Sequence, residues 1–420
     1  MKIRTAGLQT GLRANVRSRH RRGRRRYVGY VTGFMGGPTE ADRRARWGVS
    51  AIFFVDGAGL GGYVAHLPDI LARLHLTNAE LGRALLFSAL GAMTTMPLAG
   101  SLIHRFGSRW VSLGAGSILL TVLPFVMLAP SLWILCPVLY LVGASNGQTD
   151  VGMNTHAMSV QGRFPRPILS AMHGWFSVGG FAGGAGTALA ARLGVSPPVH
   201  MIVASILLAG VLVAGVAAML PSDIDKEGEG PRFALPKGAV LMLGILVLLA
   251  LASEGAMWDW CAVYLRQALH AKTEIAAFGF GLASLSMAVG RFLGDSWTHR
   301  SGYRRVLRDS ALLTGAGLLL AVNLASVPLS IVGFALTGLG LANLVPILFR
   351  AAATLPGLAA GSGLAAVTTL GYTAFLGGPP IVGYIADRTS LAFALGLIAF
   401  CCLAIAMNSR RAAATLDTGT

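Results

Sequence analysis

The sequence predicts an all-α membrane protein: twelve transmembrane helices in two pseudo-symmetric six-helix halves, with both termini cytoplasmic. Three observations carry this. The 420 residues are 54% hydrophobic and only 12% charged, with a mean hydropathy of +0.65, where a soluble domain is nearer a quarter charged. Apolar runs long enough to span a bilayer recur along the chain. Short motifs in the first half return about 195 residues later.

The hydrophobic scan places helices at 47–68, 79–103, 108–129, 131–160, 168–192, 197–220, 238–266, 274–296, 304–325, 327–349, 358–384 and 388–408. One hydrophilic connection, 221–237 (PSDIDKEGEGPRFALPK), carries both charge signs and three prolines. It divides a first half, 47–220, from a second, 238–408, and reads as a cytoplasmic linker. Residues 409–420 form a short cytoplasmic tail. Loop charge sets the orientation, because Lys and Arg accumulate on the cytoplasmic side. With the N-terminus inside, inner loops and the C-terminal tail hold fifteen Lys/Arg, whereas outer loops hold Arg73, Arg192, Arg266, Lys272 and Arg388.

Residues 1–46 are a basic tail with 13 Lys/Arg against Glu40 and Asp42, which is most of the chain's net +17. The run RSRHRRGRRR is expected to be a solvated cytoplasmic segment rather than a nucleic-acid site, so no nucleic-acid partner is expected. Met35 offers an alternative start just before the first apolar segment. The stretch Val28–Met35 is too short and glycine-rich for a signal peptide. Cys136, Cys261, Cys401 and Cys402 all lie in apolar segments without metal-ligand spacing, so neither disulfide nor zinc is implied. No cofactor or metal is expected.

The repeat is legible in three places. His104-Arg105-Phe106-Gly107-Ser108-Arg109 returns as His299-Arg300-Ser301-Gly302-Tyr303-Arg304, four of six positions matching at an offset of 195. Gly143-x-x-Asn146 returns as Gly340-x-x-Asn343, and Gly174-Trp175 as Gly371-Tyr372, both at 197. Internal duplication of this size is a common plan for transporters, with the substrate site near the midplane between the repeats.

One run breaks the apolar pattern. Between Gly143 and Gly180 the chain reads GASNGQTDVGMNTHAMSVQGRFPRPILSAMHGWFSVGG. On a helix, Asn146, Asp150 and Asn154 share a stripe, since residues three or four apart lie on one face. A polar stripe at membrane depth must face a protein interior or a watery cavity. Asp150 has no counterpart in the repeat, where Ile347 stands, nor has Asn154, where Ala351 stands.

Acids near the midplane are the candidate chemistry: Asp56 on helix one, Asp150 on helix four and Glu254 on helix seven, with Asp259 further out. No Lys or Arg is expected at their depth. Such acids could bind and release protons as access alternates; the structural alternative is a hydrogen-bonded group that ties helices together. Asn146, Asn154 and Asn343 are candidate hydroxyl ligands, and Trp258, Trp175 and Tyr372 candidate faces for a ring. His156 and His173 are weaker proton-relay candidates, with capping or packing the favoured role. The glycines of helices five and eleven mark close crossings or hinges. No P-loop or hydrolase motif is present, so neither ATP-driven pumping nor enzymatic activity is expected.

Two six-helix halves, a charged central loop and a G…RxGxR turn after helices two and eight resemble the major facilitator superfamily over about residues 47–408. The family's loop signature, roughly G-x-L-x-D-R-x-G-R-R, is matched by Gly100, Leu102, Arg105, Gly107 and Arg109, with His104 in place of the aspartate. The second copy, Arg300, Gly302 and Arg304, has His299 there. The resemblance implies a gating role for this turn, which Arg291 and Asp295, an i,i+4 pair at the inner end of helix eight, could supplement. The helix-four and helix-five runs look most like uncharacterised bacterial members near the sugar:proton symporters, in which acids on helices one and four are implied in coupling.

The expected function is secondary active, alternating-access, proton-coupled transport of a small polar solute such as a sugar, by a monomer in the bacterial inner membrane. Its partners are lipid, protons and the solute. The absence of a deep cation argues against an organic anion. Two alternatives stand beside it: a drug or metabolite:proton antiporter, whose helix-five proline is glycine here, and a non-transporting receptor or scaffold.

Overall fold

The computed structural model describes residues 37–221, 237–355, 360–414 and 416. The tail at 1–36 with Met35, most of the linker at 221–237 and the last residues of the C-terminal tail lie outside them. The described chain is helical throughout. In order run α1 (Glu40–Ala65), α2 (Leu67–Arg73), α3 (Asn78–Phe106), α4 (Ser108–Leu128), α5 (Leu132–Gln161), α6 (Leu169–Arg192) and α7 (Pro197–Ala218). The second half holds α8 (Ala239–Gln267), α9 (Thr273–Ser301), α10 (Tyr303–Asn323), α11 (Val327–Leu341), α12 (Leu344–Ala353), α13 (Ala360–Arg388) and α14 (Leu391–Ala412). The short α2 extends α1, and α12 extends α11, so fourteen segments make twelve passes.

Several boundaries differ from the sequence reading by three or more residues, and three of the differences bear on the site. The first helix begins at Glu40, not 47, because Thr39 and Asp42 form a capping box: the Thr39 hydroxyl accepts from the Asp42 amide and the Asp42 carboxylate accepts from the Thr39 amide. The basic tail therefore gives way to helix before residue 46. The eighth pass runs to Ser301, beyond 296. The tenth is broken at Ala342–Asn343. Pro346 falls in the first turn of α12, where the amide it lacks would have had no partner within the helix.

Among the described residues, nine helices are long and apolar enough to cross a membrane. The passes α5, α6 and α13 have the length but not the composition. Large apolar side chains form an exposed belt, with Trp133 85%, Ile206 67% and Leu207 67% exposed, as lipid contact requires and water would penalise. Inside, Phe53, Leu123 and Leu139 fill the first half, and Trp260, Phe280 and Phe334 the second.

The repeat reaches the backbone. Gly107 and Gly302 close the second and eighth passes at φ 86°, ψ 152° and φ 77°, ψ 153°, a conformation essentially reserved to glycine. His75 and His270, also 195 apart, end α2 and α8 in the left-handed region at φ 52° and 51°.

Call the side with the described termini the near side. The halves meet along α6 and α9, and on the far side where α3 meets α13 and α2 meets α8. A Cβ on Gly383 would overlap the Asn78 carbonyl, and one on Gly82 would lie 2.5 Å from the Pro379 carbonyl. Among the described residues no comparable packing joins α5 to α12 or α13, which leaves the space between the halves open on the near side.

Candidate transport site

The polar stripe of α5 does line that space. Asn146, Asp150 and Asn154 are each half-buried, while Gly147, Gly152 and Met153 on the other faces are buried. Glycine lets the stripe sit deep: a Cβ on Gly143 would overlap the Ser88 carbonyl of α3. On α1, Gly57 is pressed against the Phe176 backbone and Gly61 against Gly180 of α6, which brings Asp56 into the same interior.

Asp56 is 2% exposed. With its amide nitrogen turned toward α1, Asn146 donates to both Asp56 oxygens, at 3.1 and 3.2 Å. One turn on, the Asn154 amide donates to the Asp150 carboxylate and to its carbonyl, each at 2.9 Å. Two carboxyls within electrostatic reach of each other thus have amide partners, and no Lys or Arg is bonded to either among the described residues.

The second half differs, and corrects the expectation that no cation lies at this depth. Arg291 reaches Glu254, Nη2 to Oε1 at 3.0 Å, with the two side chains only 10% and 15% exposed. Its Nη1 donates across the halves to Ser177 Oγ at 2.8 Å and the His173 carbonyl at 3.2 Å. Arg291 is therefore not paired with Asp295, which is exposed and lies in electrostatic reach of Arg350 instead. Tyr372 is in electrostatic reach of both Asp150 and Glu254, so the acidic stripe and the ion pair look onto one space.

The aromatic expectations divide. Trp258 packs edge-on to Phe280 and tilted on Phe176, with ring centroids 5.1 and 5.3 Å apart; it seals the α6–α8–α9 contact beside Glu254. Trp175 points elsewhere. It meets Phe292 and Trp47, the latter 60% exposed, and so stands at the periphery despite being the repeat partner of Tyr372. Asn343, the repeat partner of Asn146, is 5% exposed at the helix break, packed against Gly294. It does not join the stripe.

His156 is fully buried, accepting from the Leu220 amide at 3.1 Å while its other nitrogen meets Ser108 Oγ at 2.7 Å; it ties α4, α5 and the end of α7. The His173 ring stacks edge-on with Phe53. Asp259 lies near Tyr63, towards the far side. The helix-five glycines are crossings: Gly179 and Gly183 abut α1, and Gly184 abuts Ala277 and Gly281 of α9. At the near-side turns, His104, Arg105, Arg300 and Arg304 are exposed and Gly100 meets nothing within 4 Å. Arg109 lies over the Trp110 ring. Arg105 likewise lies over its own neighbour, the Phe106 ring.

An uncharacterised major-facilitator-type transporter of Yersinia pestis is 34% identical to the chain over 358 residues, 85% of this chain and 93% of the relative. The chain belongs to the major facilitator superfamily. The membrane protein MosC of Rhizobium meliloti is 35% identical over 350 residues, 82% of this chain and 84% of that protein. The solved nucleoside transporter NupG superposes with a TM-score of 0.66, covering 89% of this chain and 99% of that one, at 12% identity, which is a likeness of fold. No family model matches the chain. This major facilitator protein is a multi-pass integral membrane protein.

Proposed function

We propose that this chain is a proton-coupled secondary transporter rather than an enzyme, moving a small polar solute across the bacterial inner membrane by alternating access. Both termini and the 221–237 connection then lie in the cytoplasm, and the open near side faces inward. One observation supports coupling above the rest: Asp56 and Asp150 stand on facing helices at the centre of the first half, held by Asn146 and Asn154 and, among the described residues, bonded to no cation. Carboxyls so placed gain by carrying a proton while the cavity is closed to water and by releasing it once water returns. Hydroxyl groups of a sugar-like solute find amide and carboxyl partners along the same stripe.

The test is accumulation. A thermal-shift screen of purified protein against sugars, sugar acids, amino acids and dyes identifies a ligand, and proteoliposomes then take it up under an imposed pH gradient. Asp150→Asn should lose at least about tenfold in gradient-driven accumulation while retaining solute exchange at equal pH. Unchanged accumulation by that variant removes Asp150 from the coupling step.

A further inference from the structure

We propose that Arg291 is the docking point for a carboxylate on the transported solute, and that Glu254 occupies that place when no solute is bound. The inference rests on reading the central space as the transport site, and narrows its cargo to small hydroxylated carboxylates such as sugar acids. It reverses the sequence argument against an anion, which assumed that no cation lay at this depth.

The geometry supports exchange rather than a fixed brace. Guanidinium and carboxylate form their strongest contact as a two-pronged fork. Here the pair is single-pronged: only Nη2 and Oε1 meet, and no bond to Nε or to the second Glu254 oxygen is present among the described residues. The other prong, Nη1, is taken by Ser177 and the His173 carbonyl of α6. Arg291 is thus anchored to the first half by neutral acceptors and faces the space through a partner that can be replaced. The groups facing the pair are the His173 ring and Ser177 from α6, Tyr372 from α13, and Asp150 from α5 beyond Tyr372.

Charge then links solute to proton. With Glu254 ionised, the Arg291 charge is already neutralised. An arriving carboxylate would place two anions against one guanidinium in a site of low dielectric, which is costly. Exchange avoids that cost only if Glu254 gives up the contact as a neutral group while the solute carboxylate takes its place on Arg291. The site then keeps zero net charge. The hydroxyls of the same solute would face Tyr372, which lies between Glu254 and Asp150 in electrostatic reach of both.

Acetate is the minimal probe. Stabilisation of the purified full-length protein by sodium acetate is measured against sodium chloride at equal ionic strength. Wild type, with Glu254 on Arg291, should show only weak acetate-specific stabilisation. Glu254→Gln should bind it about tenfold more tightly than wild type. Arg291→Gln, alone or with Glu254→Gln, should show no acetate-specific effect. The proposal is overturned if Arg291→Gln with Glu254→Gln responds to acetate as Glu254→Gln does, or if Glu254→Gln does not respond. Should Glu254→Gln not purify, Glu254→Ala, alone and with Arg291→Gln, decides in its place. Gradient-driven uptake of a neutral solute with no acetate effect defeats this proposal and leaves the transport reading. Arg291-dependent acetate binding without any transport does the reverse.

Discussion

Asp387 and Asn78 are joined across the two halves: the Asp387 carboxylate, at the end of α13, accepts from the Asn78 backbone amide at 3.0 Å and from the Ala79 amide at 2.9 Å. These are free amides of the first turn of α3, where a helix offers unpaired donors and a partial positive charge. A single side chain of one half therefore caps a helix of the other, on the far side, where the space is closed.

Asp387→Asn should loosen that closure. The contact is solvent-exposed, so its removal is expected to cost about 0.5–1 kcal/mol, toward the low end for a capping carboxylate. Spin labels at Arg83→Cys and Thr389→Cys would report the far-side separation. A shift of roughly two- to fivefold in population toward the wider distance is expected, and an unchanged distribution would rule out the latch.

Gly143→Val should destabilise the first half. Its Cβ would collide with the Ser88 carbonyl, and forced separation of two packed helices costs about 1–3 kcal/mol. Gly100→Ala is the control, since a Cβ there meets nothing within 4 Å; its effect should stay within about 0.5 kcal/mol. Thermal unfolding in detergent compares the two, and equal melting temperatures would contradict the packing account.

His156→Ala removes the acceptor that the Leu220 amide uses where α7 ends. A buried donor left without its partner costs about 1–3 kcal/mol. The loss should appear in unfolding temperature and leave the pH dependence of transport in place. A changed pH profile with normal stability would make His156 part of the proton path instead.

Much of this was legible in the sequence, for physical reasons. The twelve passes and the duplication follow from apolar run length and from turns that only glycine can make, as at Gly107 and Gly302. The α5 stripe followed from helical period, and its amides do hold the acids that the sequence singled out. The misreading of Arg291 came from a boundary. With the eighth pass ended at 296, Arg291 stood at a helix end, but the helix runs to Ser301 and carries Arg291 deeper. Repeat partners also misled. Equal sequence offset fixes the helix, not the direction of a side chain after the helix shifts, so Trp175 and Tyr372 part company. The break at Asn343 is not legible in the sequence, because the apolar run continues across it and prolines such as Pro97 and Pro137 lie inside unbroken helices.

Three of the helices that build the site are the ones least suited to enter a bilayer on their own. Residue-by-residue insertion rewards apolar side chains and penalises polar ones most at the segment's centre. The passes α5, α6 and α13 fall short of the composition that the nine others meet. During biogenesis they must be held by partners already in place: α1 with α3 for the first two, α8 with α3 for the third. The polarity that equips the cavity thus makes three segments dependent on assembly order. Variants that add further charge to them should lower the amount of protein inserted before they alter what the inserted protein transports.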